Sequence, residues 1–120
     1  MTSSSVRILA APTDAGEEYF VDPVKLIRGN PRQTAWVQYT DPSGKFFAGF
    51  WASETGKWRI SYTEQEYCSI LEGVSVITDD QGVAVTVRPG DEFVIPRGFN
   101  GTWEVVEATR KRFVIHEPGA

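Results

Sequence analysis

One cysteine, one histidine and one methionine are all that 120 residues carry of those three types. With Cys68 alone there is no internal disulfide framework, and such sparing use of cysteine fits a reducing compartment. No apolar run approaches the ~20 residues of a membrane-spanning helix. The opening MTSSSVRILAAPTDAGEE lacks the apolar stretch of a signal peptide and soon turns acidic. The chain is therefore expected in the cytoplasm, with no membrane partner. Positive charge is scarce too: 12 Lys and Arg stand against 16 Asp and Glu, a net charge of −4. Nucleic-acid binding leaves a footprint of clustered Lys and Arg. The one cluster, Arg110-Lys111-Arg112, lies within an apparent strand, so no nucleic-acid partner is expected.

Helix signals are equally rare. Asp22-Pro23-Val24-Lys25-Leu26-Ile27-Arg28-Gly29 combines an N-cap residue, Pro at the first helical position and Gly after a basic last turn, which predicts one short helix. From Thr34 onward the text is short β-prone runs separated by turn residues, among them Thr34–Thr40, Phe46–Ala52, Tyr67–Leu71 and Arg112–Glu117. Asp79-Asp80-Gln81-Gly82 has the chemistry of a hairpin turn. Many short strands at regular spacing predict a sandwich or barrel. The length suits one hydrophobic core. The expected organisation is an N-terminal extension over 1–33, bearing the helix and packing on the barrel, and a β-barrel domain over 34–120.

Residues 56–73 read GKWRISYTEQEYCSILEG. Strand side chains alternate between faces. The even positions, Trp58, Ile60, Tyr62, Glu64, Glu66, Cys68 and Ile70, should therefore face the core. Buried carboxylates are costly unless paired or bound to something, so this face is the best pointer to a site.

This segment, ending Leu71-Glu72-Gly73, and a second one, Gly90-Asp91 through Pro96-Arg97-Gly98-Phe99-Asn100-Gly101, together resemble the two motifs of the cupin superfamily. Gly49-Phe50-Trp51, Gly56-Lys57-Trp58, Glu66-Tyr67-Cys68, Thr102-Trp103 and Arg110-Lys111 add a resemblance to the cupins grouped with ureidoglycine aminohydrolase and EutQ. The resemblance implies an all-β, single-domain antiparallel jelly-roll barrel. Metal-binding cupins use two histidines and a Glu in the first motif and a third histidine in the second. Counted onto this sequence, those positions hold Ile60, Tyr62, Glu66 and Gly101. Only the carboxylate remains, so no metal cofactor is expected.

Glu66 is the first candidate for acid–base or ligand-binding chemistry, with Tyr62 beside it. Lys111 follows if Phe113 and Ile115 face inward, since it shares their parity; His116 then faces out. Trp51, Trp58, Cys68, Phe99 and Trp103 are candidate ligand-binding residues. Glu64 is expected to be solvated in a bend. Three functions stand open: a metal-independent enzyme acting on a small polar nitrogenous metabolite, a non-catalytic ligand-binding or accessory protein, and a non-standard metalloprotein. Replacing Glu66 by Gln is expected to leave folding unharmed or improved. A homodimer is expected, with TAWVQYT (34–40) as its contact strand.

Overall fold

The computed structural model describes residues 5–118. Among these described residues nine strands follow one another: β1 Glu17–Phe20, β2 Leu26–Arg28, β3 Arg32–Thr40, β4 Phe46–Ser53, β5 Gly56–Ser61, β6 Gln65–Asp79, β7 Ala84–Val87, β8 Glu92–Ile95 and β9 Asn100–His116. Every pairing is antiparallel. The long strands β6 and β9 run together along their whole length and bend as a pair. Their Gln65–Ile70 and Lys111–His116 halves join a wall ordered β1-β3-β4-β9-β6-β8. Their other halves join a second wall, β2-β5-β9-β6-β7. The result is a curled antiparallel sheet of the jelly-roll type, with its apolar cluster between the walls around Trp51, Trp58, Ile70, Trp103 and Phe113.

The corner on β6 lies at Glu72–Val74, where the register against β9 shifts. Side-chain parity changes across it: Glu66, Cys68 and Ile70 are buried before the corner, Ser75 and Ile77 after it. Gly73 makes this possible. Its φ is +83°, and a Cβ there would stand 2.0 Å from the Ala108 carbonyl oxygen on β9. Two sequence runs on each side of this corner thus become one strand each.

The expected helix over Asp22–Gly29 is absent. Its capping chemistry is present: Asp22 Oδ1 accepts from the Val24 amide at 3.1 Å, and the Lys25 amide donates to the Asp22 carbonyl at 2.8 Å. The chain leaves after that turn, because Leu26 and Arg28 pair with Trp58 and Lys57 of β5. Eight residues are too few to offset helix nucleation unaided, and the β-ladder offers backbone partners at once. Nor is TAWVQYT a free edge. β1 lies along Arg32–Ala35, and beyond it the Trp36 and Gln38 side chains donate to the Asp14 and Ala10 carbonyls.

Arg110 and Arg112 point to the opposite side from Lys111. Their guanidinium groups lie 5.7 and 4.5 Å from the Phe50 ring, which they cover from water.

Gly82 also has φ +83° but open space around it. Gly82→Ala should therefore cost only the left-handed penalty, about 1–2 kcal/mol. Gly73→Ala should cost roughly 2 kcal/mol more, because the new methyl meets backbone that cannot yield. Urea denaturation of both variants measures the difference; equal losses would mean that the Ala108 contact does not matter.

Candidate functional site

The alternation read from residues 56–73 survives the bend between β5 and β6. Trp58, Glu66, Cys68 and Ile70 are buried and Ile60, Tyr62 and Glu64 half-buried, whereas Arg59, Ser61, Thr63, Gln65 and Tyr67 are exposed. The loop of the second motif grips the bend. The Gly98 amide donates to the Tyr62 carbonyl at 2.8 Å, and the Tyr62 amide to the Phe99 carbonyl at 2.9 Å. The Phe99 ring meets the Tyr62 ring edge-on at 6.4 Å. Tyr62 is thereby fixed at both backbone and ring.

Its hydroxyl donates to Glu66 Oε1 at 2.7 Å, and Lys111 Nζ donates to Glu66 Oε2 at 3.0 Å. Both charged residues are only 4% exposed. Lys111 starts between Trp51 of β4 and Ile70 of β6 and runs past Cys68, whose sulfur is 3.4 Å from Nζ. The ammonium also lies 4.3 and 4.7 Å from the ring centres of Trp103 and Trp51, so π-faces complete its surroundings. Those rings are held by their N–H groups. Trp51 Nε1 donates to the Tyr19 hydroxyl at 3.0 Å, and Trp103 Nε1 to Ser75 Oγ at 3.1 Å, which in turn pairs with Thr109.

Burial disfavours a charged Lys111, but the Glu66 carboxylate and the Cys68 sulfur outweigh it and raise its pKa. Burial, with Glu66 adding to it, pushes the Tyr62 phenol far above its ordinary range. Burial pushes the Cys68 thiol up to about 12, more than the neighbouring ammonium pulls it down. At neutral pH Lys111 thus keeps its charge beside Glu66, and the flanking phenol and thiol keep their protons.

A cavity of about 270 Å³ opens above this floor. Glu66, Tyr62, Lys111, Trp51, Trp58 and Trp103 all line it, together with Phe47 and Phe113. Cys68 does not: it is fully covered and lies under Lys111. Phe99 does not either: it packs against the core and the Tyr62 ring without lining the cavity. Glu64 is half-buried and lines the wall rather than being solvated. His116 is exposed, within 3.1 Å of the Gln65 amide nitrogen. Two polar wall residues, Tyr19 and Gln33, were not foreseen, nor were the apolar Ala35, Val37 and Phe47. Tyr19 and Gln33 face each other across β1 and β3 and close one side of the cavity. Ala35 and Val37, both on the cavity side, share Gln33's parity, so extending the β3 alternation back by one step would have found it.

The metal positions of the cupin resemblance fit poorly. Ile60 offers no donor, and a Cβ at Gly101 would stand 1.9 Å from the Thr78 carbonyl oxygen. Glu66 is engaged by two donors, one of them a cation, which repels a second positive charge. Among the described residues no three or more His, Cys, Asp or Glu are grouped to hold a metal ion. Nor is any helix among them long and apolar enough to cross a membrane.

Comparison with known proteins gives a consistent picture. A family model for EutQ-like cupin domains matches residues 40–113. No curated protein matches significantly. Among solved structures, a DUF861-family protein of unknown function from Pseudomonas syringae superposes with a TM-score of 0.78 at 20% identity, covering 86% of this chain and 45% of that one. EutQ from Clostridium difficile gives 0.65 at 18% identity, over 72% of this chain and 64% of that one. This chain thus spans less than two thirds of either. A putative ethanolamine utilisation protein EutQ from Salmonella typhimurium gives 0.65 at 17%, over 88% and 100%. At these identities the likeness is one of fold.

The ion pair reverses one expectation. With Lys111 buried on Oε2, Glu66→Gln strands an ammonium, so it should destabilise the fold by about 3–5 kcal/mol, as should Lys111→Met. The double variant should cost clearly less than the sum, by roughly 2 kcal/mol or more. Denaturant titration of the four proteins measures this; additive losses would mean the two groups are not coupled. Cys68 should label roughly a thousandfold more slowly in the folded protein than in denaturant, following a thiol moved from 9.0 to about 12. Because that folded-state pKa is raised, its contribution to stability is complete below pH 9 and lost as pH rises toward 12. Melting should follow the same course. Fast labelling of native protein at neutral pH would contradict the buried thiol.

Proposed function

The chain belongs to the family of EutQ-like cupin domains, and on that premise we propose that it is a small-molecule-binding cupin whose barrel floor uses the Lys111 ammonium where metal-dependent members use a cation. The observation that carries this is the buried Glu66–Lys111 pair at the base of an aromatic-walled cavity of about 270 Å³. Ligand sites are typically apolar and aromatic with a few fixed polar groups. Here Trp51 and Trp58 supply the walls, while Glu66, Tyr62 and Lys111 supply fixed charge and hydrogen-bonding capacity.

Binding is favoured over proton-transfer catalysis. A general acid or base works best with a pKa near the operating pH. Tyr62, Cys68 and Lys111 are all moved upward, away from neutrality. Glu66 accepts from two donors already. The ligand's polar end would meet a prearranged dipole, and its body would rest on tryptophan.

Native mass spectrometry of protein purified from cells should find a retained small organic molecule, or tryptophan emission should change on titration with a small-metabolite extract. Either signal should weaken in Lys111→Met. Elemental analysis should find no stoichiometric transition metal, and added Zn²⁺, Mn²⁺ or Ni²⁺ should leave the melting temperature unchanged. About one equivalent of metal, lost in Glu66→Ala, would overturn the reading.

A further inference from the structure

Gln33 has no role in the ion pair or its supports, yet it is only 4% exposed and lines the cavity. Its Nε2 is buried without a hydrogen-bond partner. Buried polar groups are nearly always satisfied, and one that is not calls for an explanation. The location supplies one. Gln33, Tyr19, Trp58 and Glu64 line both the inner cavity and an adjoining recess of about 420 Å³ that reaches Asp22 and Lys25. Gln33 therefore stands at the neck between floor and entrance.

We propose that Gln33 is the specificity-determining donor of the cavity, and that its partner is the carbonyl oxygen of a small uncharged amide-class ligand. This rests on the reading of the cavity as a small-molecule site and names its ligand class. The unpaired N–H2 of Gln33 requires an acceptor. A neutral acceptor fits better than a carboxylate. Around the inner cavity the charged groups are Glu64, Glu66 and Lys111, and the ammonium is already paired with Glu66. Glu64 thus remains as uncompensated negative charge in the inner cavity. The outer recess adds Asp22, Lys25 and Arg59, so the two spaces together hold three carboxylates and three cations. An anionic ligand would find no net positive charge in the site, and in the inner cavity it would meet the repelling Glu64 carboxylate. An amide presents its oxygen to Gln33 and its N–H to the Glu64 carboxylate, while Phe47 and Trp58 cover an apolar body.

Three probes on one skeleton test this: benzamide, benzylamine and benzoate, each titrated into ¹⁵N-labelled protein. The readouts are the Gln33 side-chain amide signal, assigned by its loss in Gln33→Met, and the indole N–H signals of Trp51 and Trp58. Benzamide should shift all three signals and should bind more tightly than benzoate. In Gln33→Met its affinity should fall roughly three- to tenfold, the effect of one neutral hydrogen bond, while that of benzylamine stays the same. Gln33→Met removes an unpaired buried donor and should melt at the same temperature or higher. Should it not fold, the wild-type shifts and the probe ranking decide alone. Indole shifts with an unmoved Gln33 signal, equal benzamide binding in the variant, tighter benzoate binding, or a Gln33-dependent preference for benzylamine would each overturn the role of Gln33 and leave the cavity a binding site. No indole shift with any probe would overturn both.

Discussion

A lysine and a glutamate removed from water, 3.0 Å apart, set the terms for the rest of this barrel. Desolvating each ion costs several kcal/mol, and mutual attraction offsets that only with good geometry and further partners. The surroundings supply them. Tyr62 takes the second carboxylate oxygen, and Cys68 and two tryptophan faces receive the ammonium. Three of these partners are themselves secured from behind: Tyr62 by the Gly98–Phe99 backbone, Trp51 by Tyr19, Trp103 by Ser75. Six stretches of chain, in β1, β4, β6, β9, the bend at Tyr62 and the Gly98–Phe99 loop, thus orient one pair of charges.

Much of this was legible in the sequence because strand alternation is strict. The even face of residues 58–70 and the shared parity of Lys111, Phe113 and Ile115 follow from period-two geometry, and the structure brings those side chains together as that geometry requires. What escaped depends on pairing between distant segments. β1 is four exposed residues, EEYF, with no local pattern to mark it, so Tyr19 reaches the cavity wall only through its pairing with Gln33 on β3. The failed helix teaches the same lesson. Its cap formed as local chemistry dictates, while its continuation was decided by β5, thirty residues away in sequence and adjacent in space. The sign expected for Glu66→Gln likewise turned on a partner that alternation could place on the right face but not at the right distance.

The bent pair β6 and β9 links these levels. Because both strands belong to both walls, the floor at Glu66 and the tryptophan at position 103 are parts of one continuous ladder. The parity change at Gly73 lets the inner face stay apolar beyond the corner, with Ser75 buried to receive the Trp103 N–H. Local backbone freedom at one residue therefore fixes the orientation of a ring that touches the ammonium.

Gly101 carries a different consequence, one for protein engineering. The Thr78 carbonyl occupies the space that any side chain at position 101 would need. Installing an imidazole there is thus a task for the backbone before it is one for coordination chemistry: strands β6 and β9 would have to part first. Building the usual cupin ligand set here would need that displacement, removal of the ammonium beside Glu66 and new donors at position 60, all together, since each step alone leaves a clash, a stranded charge or an incomplete set. Directed evolution by single substitutions should therefore stop short of that ligand set.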